Sequence, residues 1–278
     1  MRLRSSTART ARAGVIAAML ALGFAFPVHA GNIFITGHDS DEHNNSAYMA
    51  AGLDYTLFGT ASTAAARAGK SVAYIGVNRS STPSGIASAG YSPTFFSATA
   101  AGIGGALSGG FDAVMVGSGS TPAAAANLAS AASAFATYFN GGGSLYVNTD
   151  EGFGQSWYDF VPSFGTAVNN TISVSGVFAP TAAGLAIGLT DPVVDRDITH
   201  SFYDGIDTSL FTVFEVTDSL ARFGADNGKP VAFGARNLGI GGGGFTGGGT
   251  PSVPEPATLV LIGVALLGWT AARRLRRR

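Results

Sequence analysis

The chain has 278 residues, 16 basic and 17 acidic, with 40 glycines and no cysteine. The absence of cysteine excludes disulfides, Cys-ligated zinc or iron–sulfur centres and a thiol nucleophile. The near-zero charge conceals two basic ends. Without the four arginines of residues 2–12 and the five of residues 273–278, residues 31–252 keep seven basic against sixteen acidic side chains, about −9, which argues against nucleic acid as a partner.

In chain order, residues 1–30 have the three parts of a secretory signal peptide. Arg2, Arg4, Arg9 and Arg12 make a positive start, residues 15–26 are apolar, and Val28-His29-Ala30 puts small residues at −3 and −1 of a cleavage site. No Arg-Arg pair occurs there, so the expected route is the general secretory one. A body follows over 31–236. Residues 32–36 predict a short buried strand, 48–68 a helix with Ala51, Tyr55, Phe58 and Ala65 toward one face, and 71–77 a second strand. Residues 97–107 predict a glycine-containing helix, 111–116 a third strand, 122–139 an alanine-rich helix stopped by Gly141-Gly142-Gly143, and 144–148 a fourth strand. Beyond them, 157–164 predicts a short helix, and 171–178, 211–216 and 230–234 predict strands, the last preceded by the turn pair Asn227-Gly228. Near-continuous apolar strands separated by helices predict an α/β fold, a doubly wound, mostly parallel sheet flanked by helices.

Ligands of such sheets gather at the carboxyl ends of the strands. The loop after the first strand holds His38, Asp39, Asp41, Glu42 and His43, two imidazoles and three carboxylates within six residues. These are ligand types for a divalent cation, although the spacing fits no compact metal motif and better suits an Asx-rich turn capping the next helix. Ser118 and Ser120 follow the third strand between glycines, where they either cradle an anion or cap a helix. Asp150 and Glu151 follow the fourth strand as an acidic pair able to share a proton or hold a cation. His200 completes the candidate ligand edge. The metal candidates are Asp39, Asp41, Asp150 and Glu151, with no Lys or Arg in their loops. No spacing marks a catalytic residue.

The segments 32–39, 111–116, 139–147 and 198–206 resemble those of the class I glutamine amidotransferase-like fold, through a helix, three glycines and a strand ahead of a late His-x-x-x-x-Gly. The resemblance implies the sheet and implies a Cys nucleophile and a His-x-Glu pair, both absent here.

A Gly-rich linker, 237–252, then leads to a three-part tail. Val253-Pro254-Glu255-Pro256 is stiff and polar, residues 257–272 are uncharged, and Arg273, Arg274, Arg276, Arg277 and Arg278 close the chain. As a helix the apolar run rises about 24 Å, slightly short of a ~30 Å hydrocarbon core, with Trp269 and snorkelling arginines to make up the difference. The arginines belong on the cytoplasmic side. This tail resembles the PEP-CTERM sorting signal of Gram-negative, exopolysaccharide-producing bacteria. The resemblance implies recognition of Pro-Glu-Pro by an exosortase-type membrane protease, anchoring in the inner membrane until the tail is cut, and delivery to the surface or exopolysaccharide matrix. Two roles for the body stay open, a non-catalytic binding or structural module and an exported hydrolase or metal-dependent enzyme. A third expectation is association through the Gly/Ala/Ser-rich surface.

Overall fold

The computed structural model describes residues 31–77, 79–119, 121–149, 160–161, 166–172, 178–196, 199–218 and 227–238. All of them lie within one compact unit, residues 29–245. The expected signal peptide, linker and sorting tail lie outside the described residues, as does most of the expected helix at 157–164. Among the described residues no helix is long and apolar enough to cross a membrane.

Ten strands are described: β1 Gly31–Thr36, β2 Ser71–Gly76, β3 Ser92–Ser97, β4 Ala113–Val116, β5 Ser144–Asn148, β6 Thr166–Ile172, β7 Phe178–Pro180, β8 Thr199–Asp204, β9 Thr212–Thr217 and β10 Pro230–Leu238. Eight form one sheet in the order β3-β2-β4-β5-β1-β10-β9-β7, and β6 with β8 forms a separate antiparallel pair. From β3 to β1 every pairing is parallel. From β1 through β10 and β9 to β7 every pairing is antiparallel. The sheet is therefore parallel in its first five strands, as expected of the βαβ half. It turns antiparallel from β10 onward, and beyond the last pair of β9 with β10 the Gly228 N–H donates to the Thr217 carbonyl (2.9 Å).

Side chains of the parallel strands alternate between two cores, because successive residues point to opposite faces. Phe34, Val72, Tyr74, Ala113, Met115 and Tyr146 face one side. Ile33, Ile35, Ala73, Ile75, Val114, Val116, Leu145 and Val147 face the other. Helix α1, Ser46–Phe58, covers the first side; α2 Ala64–Arg67 buries no residue there and is tied to α1 by Arg67 donating to Asp54, while α3 Ser84–Ser88, α7 Ala182–Ala186 and α8 Asp191–Val194 join the cover. Helices α4 Ala100–Ser108, α5 Pro122–Ser130 and α6 Ala132–Asn140 cover the second, placing Ile103, Leu128, Phe135 and Phe139 in the core.

Three expected elements are divided or cut short. The helix expected over 48–68 ends at Gly59, whose left-handed φ of +83° lets its N–H reach the carbonyls of Asp54 and Tyr55. Chain direction changes there, and α2 starts afresh under a Thr63 cap. The alanine-rich helix divides at Ala131, with φ −93° and ψ 4°. Of the strand expected at 171–178, the first two residues end β6 and the last begins β7, and 173–177 lie outside the described residues.

The strand β3 was absent from the periodicity because it is an edge. Its residues are half-buried or exposed, and Pro93 interrupts it. The Ser92 N–H donates to Lys70 and the Ala98 N–H to Gly76, so the alternate positions, including Pro93, face away from the sheet. The opposite edge, β7, is three residues long and closes on Pro180.

Candidate functional site

The carboxyl ends of β1, β2, β4 and β5 meet under the loop His38–Asn45, as the topology of a parallel sheet requires. His38, Ser40, Asp41 and Asn45 are completely buried in that loop. Buried polar groups must be hydrogen-bonded, and the loop is clamped at three points by tyrosines from the first core.

The first clamp is a closed ring. The His38 N–H donates to Thr36 Oγ1 (3.1 Å). The Thr36 hydroxyl lies 2.8 Å from Tyr48 Oη, and Tyr48 donates to Glu215 Oε2 (2.6 Å). Glu215 Oε1 returns to His38 Nε2 at 2.5 Å, with both side chains fully buried. The His38 ring also meets Tyr48 and Phe178 edge-on, each with centroids 4.9 Å apart. Burial, then the Glu215 charge, holds the Tyr48 hydroxyl well above the ordinary tyrosine range, so Tyr48 stays a donor.

The second clamp holds Asp41. Ser118 Oγ donates to Oδ1 (2.6 Å), while Tyr74 Oη (2.7 Å) and the Ser118 N–H (3.0 Å) donate to Oδ2. Burial raises the Asp41 carboxyl above its ordinary range, and these donors offset part of the rise. Gly117 is required there, since a Cβ would lie 2.4 Å from Tyr74 Oη and 2.8 Å from Asp41 Oδ2. In the third clamp Ser40 donates to Asn148 Oδ1 (2.9 Å) and lies 2.9 Å from Tyr146 Oη, while Asn148 Nδ2 donates to the Val116 carbonyl (3.0 Å).

Of the residues singled out in the sequence, His38, Asp41 and Ser118 are thus brought into this network. Asp39 is nearly buried, with Oδ2 3.3 Å from His43 Nε2, and His43 is half-exposed. Glu42, raised by partial burial and then by Asp41, faces Arg79 at 3.3 Å. Ser120, Asp150 and Glu151 lie outside the described residues. The backbone of His200 belongs to β8, in the two-stranded pair. Among the described residues no three His, Asp or Glu side chains group as a metal site. Sequence reading missed Tyr48, Tyr74, Tyr146 and Glu215. The tyrosines count as apolar in a strand or helix pattern. Glu215 carried a usable signal, an acid inside an apolar strand, which demands a buried partner.

Residues 252–278 match the PEP-CTERM protein-sorting motif. That motif supports an exported chain, anchored at the membrane before exosortase, a membrane protease, processes it. No curated protein and no solved structure matches the chain.

Proposed function

We propose that this exported chain is held at the inner membrane by its tail, cut there by an exosortase-type protease and passed to the cell surface or exopolysaccharide matrix. In this reading the α/β body, residues 31–236, is a non-catalytic binding or structural module. The sorting motif at residues 252–278 is the observation that carries the reading. A non-catalytic body is supported by the state of the strand edge. His38, Ser40, Asp41 and Ser118 are at most 1% exposed, and each is engaged by a neighbour. A cation entering this edge would have to displace three donors from Asp41.

The second reading, an exported hydrolase on an amidotransferase-like sheet, is favoured by one observation. The His38–Glu215 pair lies beside the carboxyl ends of parallel strands, where such chemistry is usually placed. The Cys nucleophile of the resembled fold has no counterpart in a chain without cysteine.

The sorting reading is tested by replacing Pro254, Glu255 and Pro256 with alanine and following the full-length chain in its own cells. The expected result is an uncut form retained in the membrane fraction. Release of a shortened body at the parent's level would overturn it.

A further inference from the structure

The residue that follows the expected signal-cleavage point, Gly31, is the first of β1 and is already buried. It pairs with Leu238, the last residue of β10, and a Cβ there would lie 2.4 Å from the Phe139 ring. Asn32, the next residue, is held on both sides. Its N–H donates to the Gly143 carbonyl (3.2 Å), just before β5, and its Oδ1 accepts from the Asn237 N–H of β10 (3.0 Å). No slack therefore separates the expected scissile bond from the sheet, and β1 lies inside that sheet, between β5 and β10. Recognition of an extended peptide uses the same backbone groups that a sheet uses. Cleavage within a folded chain therefore proceeds through local opening, and a strand flanked on both sides opens at far greater cost than a loop tip.

From this we infer that the pairing of β1 with β10 closes the signal-cleavage site, so that the signal peptide is removed before the sheet is complete or not at all. The inference rests on the proposed export of the chain through a cleaved signal, and adds to it an order of events. The order of the strands supplies the interval. β1 is made first, whereas its two neighbours in the sheet are residues 144–148 and 230–238. Synthesis at about 5–20 residues per second leaves roughly 10–40 s between β1 and the end of β10. Throughout that interval the backbone of Gly31 and Asn32 has no β10 to pair with and is open to a peptidase cleft. A first strand paired with its immediate successor, β2, would be covered far sooner. A chain that completes its sheet first keeps its signal and is then held at both ends.

The test uses the full-length chain made by cell-free synthesis. Detergent-solubilised signal peptidase is added either at the start, or after synthesis has ended and the body has become resistant to trypsin. Cleavage after Ala30 is read from the mass and the new N-terminal sequence. The parent should be cut when the enzyme is present throughout, and at least about tenfold more slowly when it is added late. A second chain carries about six Gly/Ser residues, glycine first, between Ala30 and Gly31, which gives the peptidase a flexible segment outside the sheet. This chain should be cut equally fast at both times. Equal early and late rates in the parent would overturn the inference, because the folded sheet would then not close the site. Equal late resistance in the spacer chain would overturn it too, by placing the obstacle in the signal rather than in β1. Absence of cutting at either time in both chains, or cutting elsewhere, would refute the expected signal site and the inference with it. The chain with Pro254, Glu255 and Pro256 replaced by alanine should behave as the parent does here, so failure of the tail-sorting reading is scored separately.

Discussion

Glu215 is an acid in the interior of a sheet with both oxygens already taken, one by His38 and one by Tyr48. Removing it strands two polar partners that have no access to water. Glu215→Ala should therefore destabilise the body by about 3–5 kcal/mol, the usual cost of breaking a buried pair, visible as a lower urea midpoint. An unchanged midpoint would mean that water replaces the carboxylate. Asp41 carries a pH signature. Its folded carboxyl is raised by burial, so the folded state holds its proton more firmly than the unfolded state does. The stability from this group is complete below the ordinary carboxylate range and is lost as pH rises through the raised folded value. The stability of the parent minus that of Asp41→Asn should accordingly shrink as pH rises above the ordinary carboxylate range, about pH 4. Glu42 rises in the same direction and partly because of Asp41, so both proteins should carry Glu42→Gln to isolate the Asp41 contribution. A constant difference would show that Asp41 keeps one protonation state throughout. At every pH the asparagine should cost ~1–3 kcal/mol, because its amide turns a donor toward Tyr74 or Ser118.

At the scale of elements, β4 is the strand that fixes the parallel half, lying between β2 and β5. Val114 is fully buried on it and faces the second core. Val114→Asp should cost about 4 kcal/mol or more through an unpaired buried carboxylate, lowering the melting temperature sharply. A parent-like melting curve would remove Val114 from the core. The four central strands were legible because each is apolar on both faces, the mark of a covered parallel sheet. The strand β3 was not, since an edge needs no apolar run and Pro93 argues against a strand. The break at Gly59 was overlooked because alanines on both sides continue the helical pattern. Of the site, the loop His38–His43 and Ser118 could be placed at one edge from topology alone. Their partners could not, because Tyr74, Tyr146 and Glu215 lie 33 to 177 residues from the groups they hold. No local pattern encodes such pairs.

At the scale of the whole molecule, a chain without cysteine relies on packing and hydrogen bonds to join distant segments. The ring through Thr36, His38, Tyr48 and Glu215 ties β1 and α1 to β9 across the intervening β10. The two rims of the sheet have a separate consequence. An unprotected sheet edge invites runaway strand-to-strand polymerisation, in which each added copy presents a fresh template. Pro93 withholds a backbone donor on one rim and Pro180 ends a three-residue strand on the other, so neither rim offers such a template. Pro93→Thr should restore the missing donor and promote fibre formation, read as a shortened lag in thioflavin fluorescence at unchanged melting temperature. If fibres form no faster in that variant, the rim is protected by something other than its proline.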